Sequence, residues 1–192
     1  MNKLWVDVET TGLRYYENEI IQLAYLIDID DKIVDEGNIF IKPNRFDTID
    51  LQALSVSNTT LESFNDSKYM NSKDACKKLL CKLSEYNISY NNRFMLCCYN
   101  NRSFDDWFIR EFIRVNLDKP DYKITYKYFY NIGIDVITLL PLLEMKLGIQ
   151  TKHKLTDLCD YFKIPIKAHD AMSDIKATYI IFKIVATKLG LI

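Results

Sequence analysis

Asp7 and Glu9 stand two residues apart at the end of an apolar, strand-like run, Lys3–Val8. Alternate side chains of a strand share a face, so both carboxylates aim at one spot. Carboxylates held together repel, and one of them would ordinarily stay protonated. A divalent cation removes that cost, and hard oxygen ligands suit Mg²⁺ or Mn²⁺. Taken alone, a pair of solvated charges guarding an edge strand is the simpler reading. A third carboxylate, Asp174, follows Ala171 by three residues, so the two share a helix face, and the small alanine leaves room above the acid. His169 lies just before that helix, free of its periodicity and able to swing over a site. Histidine ordinarily titrates near pH 6.5, which suits a base working near neutrality.

Three stretches of sequence carry a resemblance. Asp7-Val8-Glu9-Thr10-Thr11-Gly12 resembles the first motif of the DEDDh exonucleases, the DnaQ-like proofreading nucleases. Asn101-Arg102-Ser103-Phe104-Asp105 is similar to the second, Asn-x-x-Phe-Asp. His169-Asp170-Ala171-Met172-Ser173-Asp174 is similar to the third, His-x-Ala-x-x-Asp. They occur in the family's order, and the likeness runs from about Lys3 to Leu189. The family divides by its base, a His five residues before the last Asp or a Tyr four before it. Position 169 is His and position 170 is Asp, which implies the DEDDh branch. One departure stands out: many members begin the second motif with His-Asn, whereas this chain has Asn100-Asn101, which keeps only the Asn.

The resemblance implies an RNase H-like α/β fold and a two-metal-ion 3′→5′ exonuclease. Asp7, Glu9 and Asp174 would hold one Mg²⁺ or Mn²⁺, with Asp7 bridging to a second ion on which Asp105 would act through water. Two such ions, about 4 Å apart, clamp the attacking and leaving oxygens of an in-line displacement. His169 would take the proton of the attacking water, and the product would be a nucleoside 5′-monophosphate. Thr10, Thr11, Leu13 and Asn101 are expected to contact the terminal nucleotide, Leu13 as an apolar wedge. The expected substrate is the 3′ end of single-stranded or frayed DNA, in replication or repair. Two alternatives are RNA trimming by the same chemistry, where the 2′-OH decides, and a non-catalytic nucleic-acid-binding module. A polymerase made as a separate chain is a possible partner.

Two residues compete with the motif positions. His153 lies in a lysine-flanked loop, Thr151–Lys154, and reads as exposed or capping. Asp106 is offset from Ser103 as a capping carboxylate would be, while the Phe-Asp pairing selects Asp105.

The intervening elements must bring these residues together. Lys3–Val8, Glu19–Asp28 and Lys32–Ile41 read as three antiparallel strands, with Asp30-Asp31 as a tight hairpin turn. Phe94–Tyr99 is an apolar strand buried on both faces, and Ile132–Val136 is a fifth strand. Helices are expected at Leu51–Val56, Lys73–Tyr86, Ser103–Val115, Ile137–Leu147, Leu155–Phe162 and Ala171–Leu189. Pro141 belongs in a first turn, and Asp170 is a candidate N-cap. The core stripe of Ser103–Val115 runs through Phe104, Phe108, Phe112 and Val115. The expectation is a mixed five-stranded central sheet with helices on both faces. Lys119–Tyr130 interleaves lysines with aromatics, the pattern of a single-strand platform or of a strand with one wet face.

Bulk composition agrees with one exonuclease domain spanning 1–192. The 48% hydrophobic content is enough for a core, and five Gly and four Pro leave little for low complexity. With 25 basic and 26 acidic residues there is no basic excess, which favours a small footprint on nucleic acid over a long track. Five cysteines without paired spacing read as buried thiols in a reducing compartment. Neither a signal segment nor a membrane span is legible, so a soluble cytoplasmic protein is expected.

Overall fold

The alternation of side chains in the first strand decides the layers. The computed structural model describes the chain apart from residues 87, 88, 90, 101 and 118–121 and the side chains of Arg102, Ser103 and Tyr122. In β1 (Asn2–Thr10), Leu4, Val6 and Val8 enter one core and Trp5 enters the other. Asp7 and Glu9 continue the Trp5 face. Strands β2 (Ile20–Ile29) and β3 (Lys32–Lys42) follow as antiparallel neighbours. Their hairpin turns on Asp30 and Asp31, both left-handed at φ 49° and 66°, as a two-residue turn of this kind requires.

The next elements are α1 (Leu51–Val56), β4 (Tyr69–Asn71), α2 (Ser72–Ser84), β5 (Phe94–Cys98) and α3 (Arg102–Asn116). They are followed by α4 (Thr125–Tyr128), β6 (Phe129–Asp135), α5 (Leu140–Leu147), α6 (Leu155–Phe162) and α7 (Ala171–Leu189). The mixed α/β sheet has the order β4-β3-β2-β1-β5-β6. Helices α2 and α3 pack on the Leu4–Val6–Val8 face, and α5, α6 and α7 pack on the Trp5 face. Trp5 anchors α7 through its ring contacts with Tyr179 and Phe182, at centroid distances of 5.4 and 4.8 Å.

Among the described residues the sheet has six strands where five were expected. The additional one, β4, is a three-residue edge strand parallel to β3; so short a segment has no period to read. Strand β6 begins at Phe129, ahead of the expected Ile132. The helix expected over Ile137–Leu147 divides into a 3₁₀ turn at Val136–Leu139 and α5, which holds Pro141 in its first turn, where a missing N–H is harmless. Residues Tyr122–Tyr128 form two short helical turns rather than an extended platform, and Tyr128 and Phe129 are buried. Val115 is exposed instead of completing the α3 stripe. No helix among the described residues is long and apolar enough to cross a membrane.

Candidate active site

The motif residues converge because β1 ends, and α3 and α7 begin, at one end of the sheet. Asp7 and Glu9 lie near the end of β1, where the register with β2 shifts between Glu9 and Thr10. Such a bulge re-aims side chains at a strand end. Helix α7 packs across the same face and begins here. Its N-cap Asp170 accepts the Ser173 N–H at 3.0 Å, as the sequence predicts, and Asp174 occupies the first turn. One carboxylate oxygen from each of Asp7, Glu9 and Asp174 lies within 4.8 Å of the others.

Asp105 arrives from the opposite layer, at the start of α3, and stands outside that tight group. Strand β5 pairs with β1 only as far as Trp5, which leaves Val8 without a strand on that side. Asp105 Oδ1 accepts the Val8 N–H at 3.1 Å. The turn from β5 into α3 is set by Asn100, left-handed at φ 56°, whose N–H donates to Asp135 Oδ1 at 2.6 Å. Asp106 pairs with Arg110 one helical turn on. The capping role expected of Asp106 toward Ser103, and Asn101 itself, lie outside the described residues.

His169 is exposed at the rim of the cleft and adopts a left-handed φ of 62°. Its backbone N–H donates to Asp174 Oδ2 at 3.1 Å, which couples the base candidate to the carboxylate it would serve. His153, its rival, is a structural clamp. Its Nε2 sits 3.1 Å from Glu144 Oε1, and its carbonyl accepts the Tyr99 hydroxyl at 2.7 Å.

The loop after Glu9 is tied to the fold by its own polar groups. Thr10 is buried, donates its hydroxyl to the Gly12 carbonyl at 2.7 Å, and lines the cleft. Thr11 is 0% exposed, and its hydroxyl accepts the Glu19 N–H at 2.9 Å, so its side chain holds the loop and does not reach the cleft. The nucleotide contact expected of Thr11 therefore does not fit its place in the fold. Gly12 is required where it stands, because a Cβ would lie 2.6 Å from the Asn18 amide group. That amide accepts the Arg14 N–H at 2.9 Å and donates to the Thr48 carbonyl at 2.7 Å. Leu13, 78% exposed, lines the cleft.

The cleft holds about 250 Å³ and is lined by Asp7, Glu9, Asp174 and His169 on its polar side. Leu13, Ala53, Val56 and Phe104 form an apolar wall. Ala53 and Val56 were not singled out from sequence; their signal is an i, i+3 apolar pair on a six-residue helix too short to need it for a core. The Thr11 carbonyl accepts the Asp50 N–H at 2.8 Å and so holds α1 over the site. Phe104, expected as core, does both jobs, packing on Phe108 while half exposed to the cleft.

The electrostatics match a cation site. Burial, then the neighbouring acids, push Glu9 up to about 7. Burial raises Asp174 to about 6, against the bond from the His169 N–H. Asp7 is raised well above the carboxylate range by burial and then by Asp105, Asp174 and Glu9. Burial likewise raises Asp105. Among the described residues no Lys or Arg lines the cleft, and two buried oxygens, Asp105 Oδ2 and Asp174 Oδ1, have no hydrogen-bond partner. Such orphaned acceptors are costly unless a ligand meets them. The donor set therefore fits divalent cations with a preference for oxygen.

A stability measurement tests this fit. In the unfolded chain these acids titrate near 4. The folded state without a cation holds their protons more tightly, so folding is not penalised below pH ~4. The penalty grows as pH rises to about 7 and then levels off. The melting temperature of the chelator-treated protein is expected to fall across that window. Adding Mg²⁺ or Mn²⁺ is expected to raise it more at pH 8 than at pH 5. No response to either cation at pH 8 would count against a metal centre.

The RNase_T exonuclease family profile matches residues 4–182. The chain belongs to this exonuclease family. The family found is thus an exonuclease family, as the three motifs led one to expect. No curated protein matches the sequence. Among solved structures, E. coli Exonuclease I in complex with a dT13 oligonucleotide is similar at a TM-score of 0.79 and 20% identity, over 99% of this chain and 42% of that one. Exonuclease I from Methylocaldum szegediense is similar at 0.79 and 21%, over 98% and 41%. The zinc ion bound form of an E. coli ExoI–ssDNA complex is similar at 0.79 and 19%, over 98% and 41%. This exonuclease spans about two fifths of the length of those chains, and at these identities the likeness is one of fold, RNase H-like as expected.

Proposed function

We propose that this exonuclease domain removes nucleoside 5′-monophosphates from the 3′ end of single-stranded or frayed DNA, using two divalent cations, Mg²⁺ or Mn²⁺. The observation that carries the reading is the close group of Asp7, Glu9 and Asp174 in a cleft with His169 at its rim. Asp7, Glu9 and Asp174 would hold one ion, and Asp7 with Asp105 the other; Asp105 Oδ1 is committed to Val8, and Oδ2 is free for this. Bound ions supply positive charge to the attacking and leaving oxygens of an in-line displacement. His169 accepts the proton of the attacking water, from a backbone held by Asp174. Leu13, Ala53 and Val56 enclose the terminal base, with Thr10 beside its sugar. Asn101, at the second motif, contacts the same nucleotide.

Single-stranded DNA is favoured as substrate because Exonuclease I structures of the same fold are complexes with dT13 and dA16 oligonucleotides. The same observation favours trimming of free strands in DNA repair over proofreading beside a separate polymerase chain. Five free cysteines, four of them buried, suit a cytoplasmic setting.

The test uses 5′-labelled DNA and RNA of matched sequence with Mg²⁺, Mn²⁺ or EDTA. A cation-dependent ladder shortening from the 3′ end, faster on DNA, is the expected result. Faster shortening of RNA would make it an RNA-trimming enzyme. No product from either polymer would leave a nucleic-acid-binding module.

A further inference from the structure

Trp107 and Tyr16 are exposed, and Tyr15, which touches both rings, is only partly buried against the core. Trp107 is 47% exposed, in contrast to Trp5, which is fully buried. It lies on α3 two residues beyond Asp105 and three beyond Phe104, a wall of the cleft. Residues three apart share a helix face, so Trp107 continues that wall by about 4.5 Å along the helix axis. Across from it, Tyr15 follows the wedge Leu13 by two residues. Its ring stacks on Trp107 at 5.4 Å between centroids and 20° between planes. Tyr16, 56% exposed, meets the Tyr15 ring edge-on at 5.3 Å and 89°. The array therefore adjoins the Phe104 wall along α3 and follows Leu13 in the chain.

Past Tyr16 the surface opens into a second groove of about 640 Å³, lined in part by Tyr16, Asn44, Arg45, Lys73 and Arg114. Arg45 Nη1 donates to the Tyr16 carbonyl at 3.1 Å, which fixes this ring at the groove's end. The positive charge here is muted, because Arg114 bonds to Glu111 and Arg45 lies near Glu19. A strand running this way would be held by stacking more than by phosphate neutralisation, in keeping with the chain's net charge of −1.

We propose that Trp107, Tyr15 and Tyr16 form a stacking platform for the nucleotides behind the terminal one, leading the single strand from the carboxylates toward the groove beyond Tyr16. Rings of this kind accept any base, because every base has a π-face. The platform makes the enzyme sensitive to strand length and not to sequence. It rests on the exonuclease reading, whose cleft supplies the strand's 3′ end.

The test compares wild type, Trp107→Leu and Trp107→Phe on oligothymidylates of 2, 4, 8 and 16 nucleotides. In EDTA, binding to the wild type should quench tryptophan emission as strands lengthen, since Trp107 is the open tryptophan. In Mg²⁺, Trp107→Leu should raise KM for the 16-mer about tenfold with little change in kcat, should affect the dinucleotide far less, and should be rescued by Trp107→Phe. Unchanged melting temperatures exclude a folding defect. An equal effect at every length, or none, overturns the platform. Quenching in a protein that cleaves nothing would uphold the platform and overturn the nuclease reading, whereas cleavage without a length-dependent effect of Trp107 does the reverse.

Discussion

Asp7→Asn should lower turnover on the order of 10³-fold, about 4 kcal/mol of transition-state stabilisation, while raising the melting temperature of the metal-free protein. The two signs come from one arrangement. Asp7 is buried and repelled by Asp105, Asp174 and Glu9 at once. Asparagine keeps its shape and removes that repulsion, so the empty cluster is relieved. It also removes the carboxylate that the two ions would share, so catalysis is lost. The fall in melting temperature with rising pH should flatten in this variant, because the buried Asp7 carboxyl, itself raised well above the carboxylate range, no longer titrates. Turnover within tenfold of wild type would sink the role given to Asp7. A lower melting temperature in EDTA would show that its carboxylate serves the fold instead.

His169→Asn should lower kcat roughly 10²- to 10⁴-fold, the usual contribution of a general base, with KM little altered. Asparagine is chosen for a backbone reason. Position 169 sits at φ 62°, where an ordinary side chain strains the chain and Asn is tolerated. The backbone N–H that donates to Asp174 Oδ2 survives the change. The side chain is exposed and contributes nothing to either core. A loss of activity with unchanged melting and unchanged response to Mg²⁺ would therefore report chemistry. Activity near wild type would move the base elsewhere. His153 is a poor substitute, since its imidazole and carbonyl hold Glu144 and Tyr99.

The chemistry was legible in linear order because each motif is local. Asp7 and Glu9 share a strand face by simple alternation, and Asp170 caps the helix that carries Asp174. The apolar runs of β1, β2 and β5 were enough to mark these segments as strands, but not to order them in the sheet. Elements that owe their form to partners far away were not legible. The edge strand β4 exists because Tyr69–Asn71 pairs with Phe40–Lys42. The aromatic run near residue 125 coils because Tyr128 and Phe129 are drawn into the core.

Sequence alone decided which residues are the candidates for the chemistry and where the main elements run, because residue type, alternation and helical period are local properties. Tertiary structure decided how they divide. It set Asp105 apart from the other three acids, since α3 crosses the opposite face and reaches β1 only where β5 has ended. It made Thr11, expected as a nucleotide contact, a buried brace, because Glu19, just ahead of β2, supplies the N–H and carbonyl that satisfy it. It also brought Ala53, Val56 and Trp107 to the cleft and its margin, from segments with no motif to mark them. Burial is a sum over distant parts of the chain, and no local pattern contains it.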